Sequence, residues 1–114
     1  MAFVLKQSDT FFWPVSFDVP ESGGKHRRQT FDAEFRRLPQ SRLKELGELL
    51  GQNEISDSDA VAEMLCGWRG VTDDQGEEIP FSDGMMRQLL DVPFMAATIF
   101  GAYTDSLQGA KRKN

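Results

Sequence analysis

With 114 residues, 39% of them hydrophobic and nine Phe and two Trp among those, the chain has material for one packed core and too little for two. A formal net charge of -5 opposes general binding to nucleic acid or anionic lipid, because polyanions are held by clustered Lys and Arg that displace counterions; only Lys25–Arg28 and Lys111–Lys113 run the other way. Cys66 is the sole cysteine, which excludes an intrachain disulfide and a multi-cysteine zinc site. No apolar run approaches the roughly 20 residues of a membrane span, and the start, MAFVLKQSDT, carries too short an apolar stretch for a secretory signal, so a soluble cytosolic domain is expected.

From Phe11 to Val19 the apolar residues Phe11, Trp13, Val15, Phe17 and Val19 alternate with Phe12, Pro14, Ser16 and Asp18, the period of a half-buried strand. Pro14 has no N–H to give, so this strand is expected at a sheet edge. The turn-forming stretch PESGG follows, and Phe31, Ala33 and Phe35 then alternate again within Thr30–Arg36, which predicts an antiparallel hairpin over about 11–37. After Pro39 the period becomes helical. Leu43, Leu46, Leu49 and Leu50 predict a first helix that stops at Gly51. Ser56 and Asp59 form a capping box with a shortened acid, and Val61, Met64, Leu65 and Trp68 mark one face of a second helix from about Asp57 to Cys66.

Glycines and acids in Gly67–Pro80 predict a loop or tight hairpin. Ser82 is placed to cap a third helix, with Phe81 and Met86 spaced for a hydrophobic staple and Met85, Met86, Leu89 and Leu90 as its apolar stripe. A fourth helix is expected from near Pro93, its stripe running through Ala96, Ile99, Phe100, Tyr103 and Leu107 to Gly109. The sum is a single helix-rich α+β domain over 1–114: an antiparallel hairpin, about four short helices over about 41–108, and a basic, frayed tail over 109–114.

Catalytic chemistry has no visible foothold. His26, the only histidine, lies in the run KHRR without a recognisable catalytic partner and reads as a solvated strand-end residue. Cys66 beside an apolar face reads as a small buried hydrophobe. The acids Asp73, Asp74, Glu77 and Glu78 lack the ligand spacing of a calcium loop, and neither GxGxxG nor GxxxxGK[ST] occurs, so no enzyme, cofactor or metal is expected. The methionines point to binding instead. Met85, Met86 and Met95 gather around the last two helices, and flexible thioethers suit surfaces that take varied apolar partners.

The run AEMLCGWRGVTDDQGEEIPFSDGMMRQLLDVPFMAATIFGAY, Ala62–Tyr103, resembles the tail assembly chaperones of long-tailed, siphovirus-type bacteriophages. Gly67, Trp68, Gly70, Val71, Asp73, Gly76, Pro80, Phe81, Ser82, Leu89, Leu90, Asp91 and Pro93 match that family's pattern in order, and the aromatic strand with TFDAEFRRL at Thr30–Leu38 is similar too. Phe94 stands where relatives often have a second proline. The resemblance implies a protein of the infected or lysogenic bacterial cytoplasm, absent from the mature virion, that binds the tape-measure protein and keeps it from aggregating until tail subunits polymerise around it. It also implies the major tail protein as a second partner, reached through a frameshifted longer product.

The candidate contacts are Met85, Met86, Phe94 and Met95, at a proline-broken helical corner whose apolar excess also predicts homo-oligomers; the hairpin around Phe12 and Pro14 is the fallback surface. A tail or tail-terminator component retained in the virion is the alternative function. A DNA-binding protein clamping phosphates through Lys25–Arg28 ranks below both.

Overall fold

The computed structural model describes residues 2–109, so the expected fraying of the basic end at 110–114 lies outside it. The alternation of the N-terminal half folds as a twelve-residue strand β1 (Thr10–Glu21) paired antiparallel with β2 (Lys25–Arg36), in a register that sets Val15 opposite Phe31 and Trp13 opposite Ala33. β2 is longer than its apolar alternation, because the basic run joins the ladder opposite Asp18–Glu21. Gly23 and Gly24 turn the chain with φ of 89° and 77°, left-handed angles open to glycine.

β1 lies at the edge of the sheet, as Pro14 required. The Arg37 amide donates to the Asp9 carbonyl at 3.0 Å, so by antiparallel alternation the odd residues of β1 bond to β2 and the even residues aim their backbone groups at the free edge. Pro14 and Pro20 are both even. They remove two N–H groups from that edge and blunt it against pairing with another strand.

Helix α1 (Gln40–Gly51) follows Pro39, and α2 (Asp57–Met64) starts at a complete capping box in which Ser56 Oγ accepts from the Asp59 amide while Asp59 accepts from the Ser56 amide. The two helices are tied by Arg42, whose Nε and terminal nitrogen both donate to the Glu63 carboxylate. This is a fork geometry that lysine could not reproduce.

The second helix is shorter than its apolar periodicity predicts. It stops at Met64, and Leu65–Arg69 form a third strand, β3, antiparallel to β2 with Trp68 opposite Ala33 and Gly67 opposite Glu34. Leu65 and Trp68 therefore face the core from a strand and not from a helix. The spacing of Val61, Met64, Leu65 and Trp68 is helical, and only the extra residue of a bulge lets Leu65 and Trp68 share one face of a strand; the unpaired second edge of β2 favours the strand by offering a ladder that a helix would leave open. A bulge at Glu34/Phe35 absorbs the register change and leaves Cys66 without an opposite partner.

Beyond β3 the acidic stretch closes as a hairpin, with Thr72 bridged to Glu78 and the Ile79 amide donating to the Val71 carbonyl at 2.8 Å. Ser82 then caps α3 (Asp83–Leu90) by accepting from the Met85 amide at 3.1 Å. The last helix, α4, spans Met95–Gln108, so Pro93 stands two residues before it and not in its first turn. Phe94 occupies the N-cap with φ 66° and provides no side-chain cap.

Helices α2, α3 and α4 contribute buried residues to the core on the sheet, and α1 packs against that core through the half-buried Leu43. Phe31, Ala33 and Phe35 from β2, Met64 from α2, Leu65 and Trp68 from β3, and Ile99 and Tyr103 from α4 belong to one continuous cluster with Val15 of β1. The fold is α+β, a three-stranded antiparallel sheet with four helices, and the third strand makes it less helix-rich than the sequence suggests.

Candidate functional site

The four candidate contact residues do not form one surface. Met86 and Met95 are each 3% exposed and belong to the core, because the apolar face of α3 and the first turn of α4 point inward under the sheet. They are not available to a partner. Met85 is half-buried at a small recess of about 170 Å³ with Trp68, Val71 and Ile79. Phe94 alone stands clear, 86% exposed, with Val92 beside it at 44%. A phenylalanine so exposed gains nothing from burial, and its left-handed backbone is one that a residue with a Cβ adopts only at a cost.

The corner that carries Phe94 borders a recess of about 610 Å³ between the hairpin and α4, walled by Phe17, Val19 and Pro20, with Met95 and Thr98 from the helix and His26 and Arg28 at the rim. A second recess of about 680 Å³ adjoins it, sharing Ser16, Arg28 and Thr98 and continuing past Trp13 and Pro14 along Ala97, Gly101 and Asp105. Together they make a groove beside the blunted edge of β1. Sequence periodicity placed neither wall. The small residues Ala97 and Gly101 that keep it open were legible only as helix filler, and Val19 and Pro20 only as strand end and turn.

The residues of the turn motif have structural work. Trp68 is 7% exposed, donates its indole N–H to the Ile79 carbonyl at 2.7 Å and meets Phe81 edge-on at 4.9 Å. Gly70 has φ 89°, as expected of a turn glycine, and its amide donates to Glu78 at 3.0 Å. Gly67, expected in the loop, lies in β3 without a positive φ; a side chain there would crowd that of Glu34 across the ladder, where the carboxylate can swing aside but the Cβ would stand 3.2 Å away. That carboxylate also accepts from Thr10 Oγ1 at 2.7 Å. Asp73 organises the acidic turn by accepting the amides of Gln75 and Glu77 at 2.8 and 2.9 Å. Pro80, Asp91 and Pro93 are exposed, and Val71 is half-buried.

The remaining candidates have local partners. Arg27 pairs with Glu21 at 3.1 Å and Arg28 with Asp18 at 3.2 Å, so half of the basic run is engaged across its own hairpin. His26 is exposed on β2. Cys66 is half-buried with Sγ at 3.5 Å from the Glu34 carbonyl, and burial, helped by the Glu34 charge, pushes its thiol above the ordinary range. Little thiolate forms at neutral pH. Among the described residues no group of three or more His, Cys, Asp or Glu is placed to hold a metal ion, and no helix is long and apolar enough to cross a membrane.

Comparison with family models, curated proteins and solved structures gave no match.

Proposed function

We propose that this chain is a phage tail assembly chaperone, a non-enzymatic protein of the host cytoplasm that covers apolar stripes of the tape-measure chain until tail subunits assemble, and that leaves before the virion is complete. A long amphipathic chain without its tube exposes surface that would self-associate, and a small protein offering an apolar groove keeps it dispersed. The observation that carries the reading on this chain is the exposed Val92–Phe94 corner at the mouth of an open, largely apolar groove. The resemblance of Ala62–Tyr103 supplies the identity of the partner, and the major tail protein is the expected second partner of a frameshifted longer product.

The test is coexpression with the tape-measure product encoded downstream, reading its soluble yield with the parent chain and with Phe94→Lys and Val92→Lys. Both positions are at the surface, so the variants fold, whereas Met86→Lys or Met95→Lys would put a charge in the core and report on folding. Soluble tape-measure protein should fall several-fold with each variant. Yields equal to the parent's would move the contact surface elsewhere, and recovery of the chain in purified virions would favour a structural tail component.

A further inference from the structure

We infer that the Val92–Phe94 corner also pairs with a second copy of this chain, Phe94 of each copy seated in the hairpin recess of the other. Three features of the corner carry this independently of the tape-measure reading. Phe94 combines near-complete exposure with a left-handed backbone, a conformation that costs the isolated chain stability and is offset when the ring is buried against a partner. The recess walled by Phe17, Val19 and Pro20 lies directly beside it. With knob and hole adjacent on one chain, a two-fold axis through the corner makes the contact twice and closes the assembly at two copies.

The charges around knob and hole are complementary. Asp91, next to the knob, is exposed and has no ion pair among the described residues, whereas Lys25 and His26 at the open end of the hairpin are exposed and similarly unpaired. Arg27 and Arg28 are already neutralised by Glu21 and Asp18. The two-fold brings Asp91 of each copy toward the hairpin end of the other, and pairing at the rim of an apolar contact selects this register over others. A foreign chain would need its own basic flank to answer Asp91; a second copy already has one.

Sedimentation equilibrium of the full chain alone, from about 1 µM to about 1 mM to bracket weak association, reads the pairing directly. The parent should dimerise. Phe94→Gly should raise the dimer dissociation constant at least about tenfold while leaving the melting temperature of the monomer equal or higher, since glycine takes the left-handed angle freely. Phe94→Asn, also tolerant of that angle, should behave alike. Asp91→Lys should weaken the dimer, and adding Lys25→Glu in the same chain should restore it. A parent that stays monomeric throughout, leaving the corner to a different chain, overturns the inference, as does a dimer equally tight in Phe94→Gly or a charge swap that restores nothing. Because no partner protein is present, these outcomes are independent of the coexpression test.

Discussion

Trp68 is held by an edge-on contact with Phe81, by its hydrogen bond to the Ile79 carbonyl and by the strand pairing that puts it opposite Ala33. Its truncation removes a large buried surface and leaves a carbonyl unanswered. Trp68→Ala should therefore cost about 3–5 kcal/mol in urea unfolding, and a loss under about 1 kcal/mol would mean that the ring is solvated. That this indole is buried could be read from its place in an apolar series, but its neighbour Gly67 could not be explained that way. What crowds Gly67 is the side chain of Glu34, 33 positions away, and only the β2–β3 register brings the two face to face. Phe94 is similar: nothing in an apolar side chain announces a left-handed backbone, which arises because the chain must leave α3 at Asp91 and enter α4 within three residues.

The joint between α1 and α2 depends on ionisation. The Arg42 guanidinium, hydrogen-bonded to both Glu63 oxygens, holds that carboxyl below its ordinary value of 4.5. A carboxylate whose pKa is lower folded than unfolded stabilises the fold at pH above the unfolded value, and that contribution is lost as pH falls through the folded value. Glu63→Gln should lower the urea midpoint at pH 7, and the two should converge as pH falls through the lowered folded value of Glu63. The difference will be modest because about a third of each side chain meets solvent, at 37% and 35% exposure. A gap that persists unchanged at low pH would show that the fork contributes by packing and not by charge. At the same scale, α2's start was legible in Ser56 and Asp59 because a cap is local chemistry, while its end was not, because Leu65–Arg69 becomes a strand only when β2 is beside it.

Across the molecule, Tyr103 joins the two halves. Its hydroxyl donates to the Arg36 carbonyl at 2.8 Å and accepts from the Leu38 amide at 3.1 Å, and its ring meets Phe35 edge-on at 4.9 Å, so the last helix is fastened to the exit of β2. With a single core cluster spanning sheet and helices, unfolding should be one transition, and Trp13 and Trp68 fluorescence should coincide with the loss of helical circular dichroism. Tyr103→Phe should shift both probes together by about 1–3 kcal/mol, the cost of leaving two partly buried backbone groups without a partner. Probes that separate in this variant would mean that α4 and the sheet are independent units.

Alternation along β1, the caps of α2 and α3 and the edge position of Pro14 were all dictated locally, since each depends on neighbours within a few residues. The α+β class followed from them. The third strand, the burial of Met86 and Met95 and the groove beside Phe94 depended on contacts across tens of residues: a helical spacing at Leu65 and Trp68 became a bulged strand only because the β2 edge was there to pair with, and competition for the core face buried the methionines.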